Sequence, residues 1–248
     1  MTPLETAIMA TTVFFTSALT TATGVGGGAI LFALMLQFMP PLVAIPVHGA
    51  VQAFANGWRI WLLREHSVWP VVVRFGLPMP FGVAIGLWLF QELPTETVQI
   101  LIGCFILMSV FSHSLKFLRH RDLPLWAFSP LGFVVGALNV VVGVVVPLLS
   151  AFLIRSDMTR QNIVVTISLF SFIGHVLKVI GFSLIGFSFA EYWVAVVAMI
   201  PSIVIGTLLG RHLLGRVSET FFRQLLRVVL ALLALKLIVW DSILNGSL

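Results

Sequence analysis

Eight long apolar segments follow one another along the chain and are separated only by short polar connections. A helix needs about 20 apolar residues to cross ~30 Å of hydrocarbon. Only 9% of the residues are charged, against about 25% in a soluble domain. The chain is therefore predicted to be an all-α integral membrane protein. The segments occupy residues 4–38, 43–63, 68–90, 97–118, 124–154, 161–185, 190–213 and 219–241.

Two of these segments are too long for a single crossing. As continuous helices, segments 4–38 and 124–154 would be roughly 50 Å and 45 Å long at about 1.5 Å per residue. The first holds four glycines between Gly24 and Gly28, and the second holds Gly136, Asn139, Gly143 and Pro147. Glycine and proline interrupt helices. We therefore predict that each segment forms two half-helices joined by an unwound turn.

The two halves of the chain align with each other. A shift of 119 residues places Gly24 on Gly143, and a shift of 123 places Pro78 on Pro201. The first shift also aligns three polar pairs: Gln52 with Ser171, Asn56 with His175, and Arg59 with Lys178. This order predicts a duplication, with residues 1–121 and 122–248 as the two repeats of one membrane domain. The alternative is a chance match, because membrane helices share many small and apolar residues.

The charges of the connections predict an orientation. Lys and Arg mark the connections near residues 64–74, 116–121, 155–160 and 211–227, whereas those around Glu92 and Glu191 lack them. Basic connections tend to face the cytoplasm. Each half is then one broken-helix hairpin plus three transmembrane helices, so the second repeat is inverted relative to the first. We expect a multi-pass protein of the inner cell membrane with both termini outside, a plan typical of secondary transporters.

Polar residues line one face of two predicted helices. Intramembrane charge is costly and points to function, and residues three or four apart share a helix face. The alternatives are that the cations extend to the membrane interface and that the histidines bond backbone carbonyls. The two stripes are His48, Gln52, Asn56 and Arg59 in the second segment, and Ser168, Ser171, His175 and Lys178 in the sixth.

The unwound turns add a second feature of the candidate site. Free N–H groups at the start of a half-helix attract anions, and glycine lets a ligand approach the backbone closely. Packing of small residues is the alternative explanation for these glycines, and the only one we assign to Gly82, Gly86, Gly206 and Gly210. With two cations nearby, the turns predict a small anionic substrate. The candidate turn residues are Thr23, Gly24, Gly26, Gly27, Gly28 and Asn139.

At these residues the chain resembles the TauE/SafE family of sulfite and organosulfonate exporters. The resemblance rests on GVGGGAILFALMLQFMPPLVAIPVHGA at 24–50, on GALNVVVGVVVPLL at 136–149, and on proline-started helices followed by Ser/Thr-Glu-Thr. It covers nearly the whole chain. In the second half, GVVVP at 143–147 replaces the glycine run of the family pattern. The resemblance implies a secondary transporter of sulfite, organosulfonate or thiosulfate.

Other functions remain as alternatives. A passive anion channel or an uptake transporter for a small organic anion would fit the same residues. An intramembrane enzyme is disfavoured because the chain has no HExxH or GxSxG motif and no paired carboxylates in mid-span. We expect no cofactor, no bound metal and no nucleic-acid partner. Membrane lipid is an expected partner, while proton or ion coupling and a homo-oligomeric state stay open.

Overall fold

The chain forms long helices that lie against one another, as seen in a computed structural model. The structure describes residues 2–23, 26–112, 123–145 and 158–214, together with isolated positions 228, 231, 232 and 235. Within these ranges all regular structure is helical, as predicted. The segment predicted at 219–241 lies almost entirely outside the described residues.

Nine α-helices make up the described part of the chain, and single 3-10 turns lie at Arg64–His66, Leu125–Ala127 and Phe189–Glu191. Proline residues start several helices, since proline fits the first helical turn. A capping box starts the helix at Arg160, where Asn162 N donates to Thr159 Oγ1 and Thr159 N donates to Asn162 Oδ1. The helices are α1 Pro3–Thr23, α2 Gly27–Met35, α3 Pro41–Leu63, α4 Trp69–Gly76, α5 Met79–Glu92, α6 Thr95–Ser112, α7 Phe128–Val141, α8 Arg160–Leu184 and α9 Trp193–Leu213.

The first long segment is broken where the glycines occur. Helix α1 ends at Thr23 and α2 begins at Gly27, with Gly26 between them at φ 100°. Only glycine adopts this backbone region freely. The second long segment also ends its helix, at Val141, and Gly143 has φ 80°. The return of that segment beyond Val145 lies outside the described residues, so the prediction of a second hairpin stays a prediction there.

Three stretches of the described chain are long and apolar enough to cross a membrane: Trp69–Glu92, Arg160–Leu184 and Trp193–Leu213. Two shorter apolar stretches lie at Thr95–Met108 and Leu125–Val141. Bulky apolar side chains also cover the outer surface, with Trp88, Trp126 and Leu184 more than half exposed. A soluble protein rarely exposes so many large apolar groups together. The chain is therefore a multi-pass helical membrane protein.

The closest helix pairs are α1 with α9, α5 with α7, and α3 with α8. Glycines bring the first two pairs into backbone contact, as expected for small-residue packing. A side chain at Gly82 would strike the Phe133 carbonyl, and one at Gly206 would strike the Phe14 carbonyl. Gly86 and Gly210 likewise face Ala137 and Ala18. The prediction that these four glycines serve helix packing is confirmed.

Candidate functional site

The two polar stripes face each other across the contact between α3 and α8. His48 lies against His175, with ring centroids 5.5 Å apart, and Arg59 bonds to Ser168. Residues early in α3 therefore meet residues late in α8, so the two helices run in opposite directions. The sequence placed these side chains on one face of each helix, and the structure brings the two faces together.

Lys178 is fully buried at one end of this contact. Its Nζ donates a hydrogen bond to the Gly143 carbonyl at 2.8 Å. Gly143 lies just after the end of α7 at Val141. The lysine stem passes over Gly49 of α3, where an added Cβ would lie 3.3 Å from Lys178 Cδ. The ammonium therefore lies inside the protein and does not extend to the membrane interface.

Arg59 is buried near the other end, with 1% of its surface exposed. Its Nε donates to Thr21 Oγ1 at 2.9 Å, and its Nη1 donates to Asn56 Oδ1 at 2.8 Å and to Ser168 Oγ at 3.4 Å. These bonds join α1, α3 and α8. Arg59 therefore lies inside the protein, with its guanidinium held by side chains from three helices.

The two amides of the first stripe connect Arg59 to the glycine turn. Asn56 Nδ2 donates to the Gln52 carbonyl at 2.8 Å, which fixes the amide so that its oxygen faces Arg59. The Gln52 side chain lies against Gly28, where an added Cβ would be 3.4 Å from its amide. His48 Nε2 lies 3.0 Å from the Gly28 carbonyl. The alternative that a histidine bonds a backbone carbonyl is therefore confirmed for His48.

Two neighbouring glycines of the turn between α1 and α2 contact different elements: Gly28 contacts the polar stripe of α3, and Gly27 contacts α1. Gly28 faces Gln52, whereas a side chain at Gly27 would strike the Thr16 carbonyl and the Thr20 hydroxyl. Gly27 thus packs against α1. Gly26 supplies the positive φ, and no side chain caps α2. Thr23 Oγ1 donates to Leu19 O at 2.9 Å, and the predicted site residue Gly24 lies outside the described residues.

A small cavity opens beside α8, between Asn139, Ser171 and His175, with apolar walls from α5, α7 and neighbouring residues. Its volume of about 10 Å³ is close to that of one water-sized sphere. Ser171 Oγ and His175 Nδ1 are buried and have no hydrogen-bond partner within the described chain. Buried polar atoms are nearly always paired, so these two are candidates to contact a ligand.

No carboxylate balances the two buried cations among the described residues. The acidic side chains of the described residues are all exposed or partly exposed. They are Glu5, Glu65, Glu92, Glu96 and Glu191. A buried charge is costly unless it is paired. Within the described chain, the hydrogen-bond acceptors of Lys178 and Arg59 are neutral carbonyl, amide and hydroxyl oxygens, so neither cation has an anionic partner there.

The structure adds three partners of the cations: Thr21, which the sequence analysis did not single out, and Gly143 and Ser168, which it named for other reasons. Thr21 accepts from Arg59, Gly143 accepts from Lys178 through its carbonyl, and Ser168 also bonds to Arg59. Thr21 lies in the polar run TTAT at the end of α1, and Ser168 continues the stripe of α8. Those signals mark both residues as polar positions. Gly143 was predicted to break the helix, but its carbonyl cannot be recognised as an acceptor from the sequence.

The described helices are those of a multi-pass membrane protein, with Lys178 and Arg59 buried among them and a break between α1 and α2. The chain matches the family described as "Sulfite exporter TauE/SafE" over residues 9–237. Because this match covers most of the chain, the protein belongs to that family, as the sequence analysis predicted. No curated protein and no solved structure gives a significant match.

Proposed function

We propose that the protein is a secondary transporter that exports a small sulfur-containing anion, of the sulfite, organosulfonate or thiosulfate class, across the inner membrane. The observation that carries the proposal is the pair of buried cations, Lys178 and Arg59, which have no buried carboxylate among the described residues. An anion between α3 and α8 would supply the missing charge. Membership in a sulfite exporter family supports an anion that contains sulfur.

The atoms around this centre support a binding site at its middle. Ser171 Oγ is a buried donor without a partner among the described residues, and Lys178 Nζ has three N–H groups of which one is bonded to Gly143. The Gln52 amide lies against Gly28 at the start of α2. We propose that these groups, together with His48, His175, Asn56, Asn139 and the N–H groups of Gly27 and Gly28, bind the anion.

The size of the cavity supports transport by alternating access. About 10 Å³ accommodates roughly one water molecule and is too small for a tetrahedral or pyramidal sulfur anion. Helices α5, α7 and α8, whose residues line this cavity, would therefore have to separate before the anion enters. A site that is closed in one state and opens to one side at a time is the property that distinguishes a transporter from an open channel.

Matching contacts in the two halves support an inverted repeat. Gly82 meets Phe133, and Gly206 meets Phe14, while Phe133 lies 119 positions after Phe14. Gly206 lies 124 positions after Gly82, one more than the 123-residue shift, so the two contacts correspond to within one residue when the halves are exchanged. Arg59 with Ser168, and Lys178 with Gly49, exchange in the same way under the 119-residue shift. We propose that residues 1–121 and 122–248 are related by a pseudo-two-fold axis in the membrane plane.

The orientation with both termini outside is tested by cysteine labelling. The native Cys104 is exposed and is first replaced by serine. In that background, Glu96→Cys should react with an impermeant thiol reagent in intact cells, and Glu65→Cys should react only after the membrane is opened. Both side chains are exposed, so access is set by the side of the membrane. The reverse pattern would contradict the charge-based orientation.

Flux measurements in sealed proteoliposomes test the proposed function itself. Vesicles are loaded with radiolabelled sulfite, thiosulfate, taurine, sulfoacetate or lactate, and efflux is followed with and without an imposed membrane potential or pH gradient. We expect saturable efflux of one sulfur anion, and accumulation against its gradient when a potential is imposed. Non-saturable flux would indicate an anion channel, and a preference for lactate would indicate a transporter for organic anions.

A further inference from the structure

His48 of α3 and His175 of α8 are buried in contact with each other, and anion binding alone does not explain this contact. The rings of His48 and His175 lie edge to face, with centroids 5.5 Å apart and an interplanar angle of 80°. A carbonyl only accepts hydrogen bonds, so the bond to Gly28 O places the proton of His48 on Nε2. Nδ1 of His48 then carries a lone pair, and this atom is buried without a partner in the described part of the chain, as is Nδ1 of His175.

Two imidazole rings that touch edge to face, each with an Nδ1 that lacks a partner within the described residues, offer a place where a proton can bind. We propose that the His48–His175 pair is the proton-binding site of the transporter and that one proton from water binds to the pair when the anion binds. The proposal rests on the proposed function of anion transport. The proton adds to a lone pair on Nδ1 of one imidazole, which becomes an imidazolium, and the anion supplies the opposite charge.

The other titratable side chains of the pair's own two helices are all basic: Lys178, Arg59 and Arg160, the first residue of α8. Lys178 lies one turn beyond His175 in α8, and Arg59 lies three turns beyond His48 in α3. Helices α2 and α7 carry no titratable residue, and α1 carries only Glu5 in its first turn. The titratable side chains of α4, α5, α6 and α9 and of the 64–66 turn are exposed. They are Arg74, Glu92, Glu96, Cys104, Arg211, His212, Arg64, Glu65 and His66.

The charges limit the pair to a single proton. Two unit charges 5.5 Å apart disfavour each other on the order of a hundredfold at an effective dielectric constant of about 20. A proton on the pair also raises the positive charge already supplied by Lys178 and Arg59. An anion at the centre offsets this charge, so proton and anion each favour the binding of the other. By linkage the two effects are equal.

Joint binding has a consequence for the direction of transport. A dianion that crosses with one proton still carries one net negative charge. The inside-negative membrane potential therefore favours its movement outward. A monoanion with one proton would be neutral, and its export would follow only the concentration gradients of the two species. The histidine pair thus favours dianions as the exported substrates.

Calorimetry of thiosulfate binding to the purified full-length protein tests this proposal. Thiosulfate stays a dianion near pH 7, the range in which histidine titrates, so any proton taken up binds to the protein. Titrations in two buffers with different ionisation enthalpies give the number of protons. We expect the wild type to take up a substantial fraction of one proton per thiosulfate, and His66→Gln, a matched control on the surface, to behave alike.

The variants and outcomes distinguish this proposal from the proposed function. His175→Gln, and His48→Gln as a second variant in case the first does not fold, each remove a side chain of the proposed anion site and should bind thiosulfate more weakly and with no proton uptake. Thiosulfate binding by the wild type without proton uptake would overturn the histidine proposal alone. Uptake that persists in both histidine variants would also overturn it. If the wild type binds none of thiosulfate, sulfite or methanesulfonate, the proposed function itself is refuted, and the histidine proposal with it.

Discussion

Replacing Ser171 by alanine distinguishes a binding role from a structural role. The Ser171 side chain is 7% exposed, and its hydroxyl has no partner within the described chain. A buried hydroxyl without a hydrogen bond costs about 1–3 kcal/mol. Removing it should leave the free energy of unfolding unchanged or raise it by up to about 1 kcal/mol, since the lost contacts of one oxygen offset part of the gain.

The same substitution should weaken anion binding. A hydrogen bond to a charged acceptor contributes about 1.5–3 kcal/mol, so the dissociation constant for the transported anion should rise roughly tenfold to a hundredfold. Ser168→Ala is the matched control, because Ser168 Oγ already bonds to Val164 O at 2.8 Å. We expect that control to lose about 0.5–1.5 kcal/mol of stability with a smaller change in affinity.

Thermal unfolding in detergent and calorimetric titration of the anion measure the two effects separately. We expect the Ser171→Ala protein to be at least as stable as the wild type and to bind the anion more weakly. A less stable protein with unchanged affinity would refute the reasoning, because the hydroxyl would then have a structural partner and no role toward the anion.

Three further substitutions follow from the contacts. Gly28→Ala should fold, since its Cβ meets Gln52 at ordinary van der Waals distance, yet lower flux by narrowing the site; wild-type flux in proteoliposomes would exclude Gly28 from the site. Arg59→Met leaves Asn56 Oδ1 without its partner and should cost about 1–3 kcal/mol of stability, measured by thermal unfolding; an unchanged melting temperature would show that the three-helix junction is dispensable. Gly206→Val strikes a backbone carbonyl and should abolish folded expression; normal yield on size-exclusion chromatography would contradict the close packing of α1 with α9.

The breaks in the long segments could be predicted from the sequence because they depend on local chemistry. The four glycines between 24 and 28 interrupt any helix, and the structure ends α1 at Thr23 and restarts the chain as α2 at Gly27. The polar stripes were predictable for the same reason, since spacings of three and four residues place side chains on one helix face whatever the partner is.

The partners of these residues could not be predicted, because they depend on tertiary packing. Gly27 and Gly28 are neighbours in a run of identical residues, yet one packs against α1 and the other against Gln52. Likewise, the sequence aligns Arg59 with Lys178, and only the fold shows that Arg59 joins three helices while Lys178 reaches a backbone carbonyl. Helical spacing defines a face but carries no information about what lies opposite.

The number of membrane crossings also depends on tertiary packing and is therefore hard to predict from the sequence. Hydropathy along the sequence predicted eight segments, whereas three described stretches are long and apolar enough to span a membrane by themselves. Helix α3 has 23 residues, as many as those stretches, but carries the polar stripe. Such a helix lowers its cost in the membrane by burying the polar face against α8, and a scale that scores each residue alone does not detect that compensation.

Whether a buried cation between α3 and α8 binds the transported anion is best measured by the anion affinity of the Lys178→Met protein. Methionine keeps the apolar stem over Gly49 and removes the ammonium that bonds to Gly143. Calorimetric titration with the anion that the wild type binds most tightly should show affinity reduced roughly tenfold to a hundredfold, the equivalent of about 1.5–3 kcal/mol. Lys178→Arg should recover part of the loss, since the guanidinium keeps the charge but is larger and planar. Unchanged affinity in a folded Lys178→Met protein would contradict the claim that a buried cation between α3 and α8 binds the transported anion.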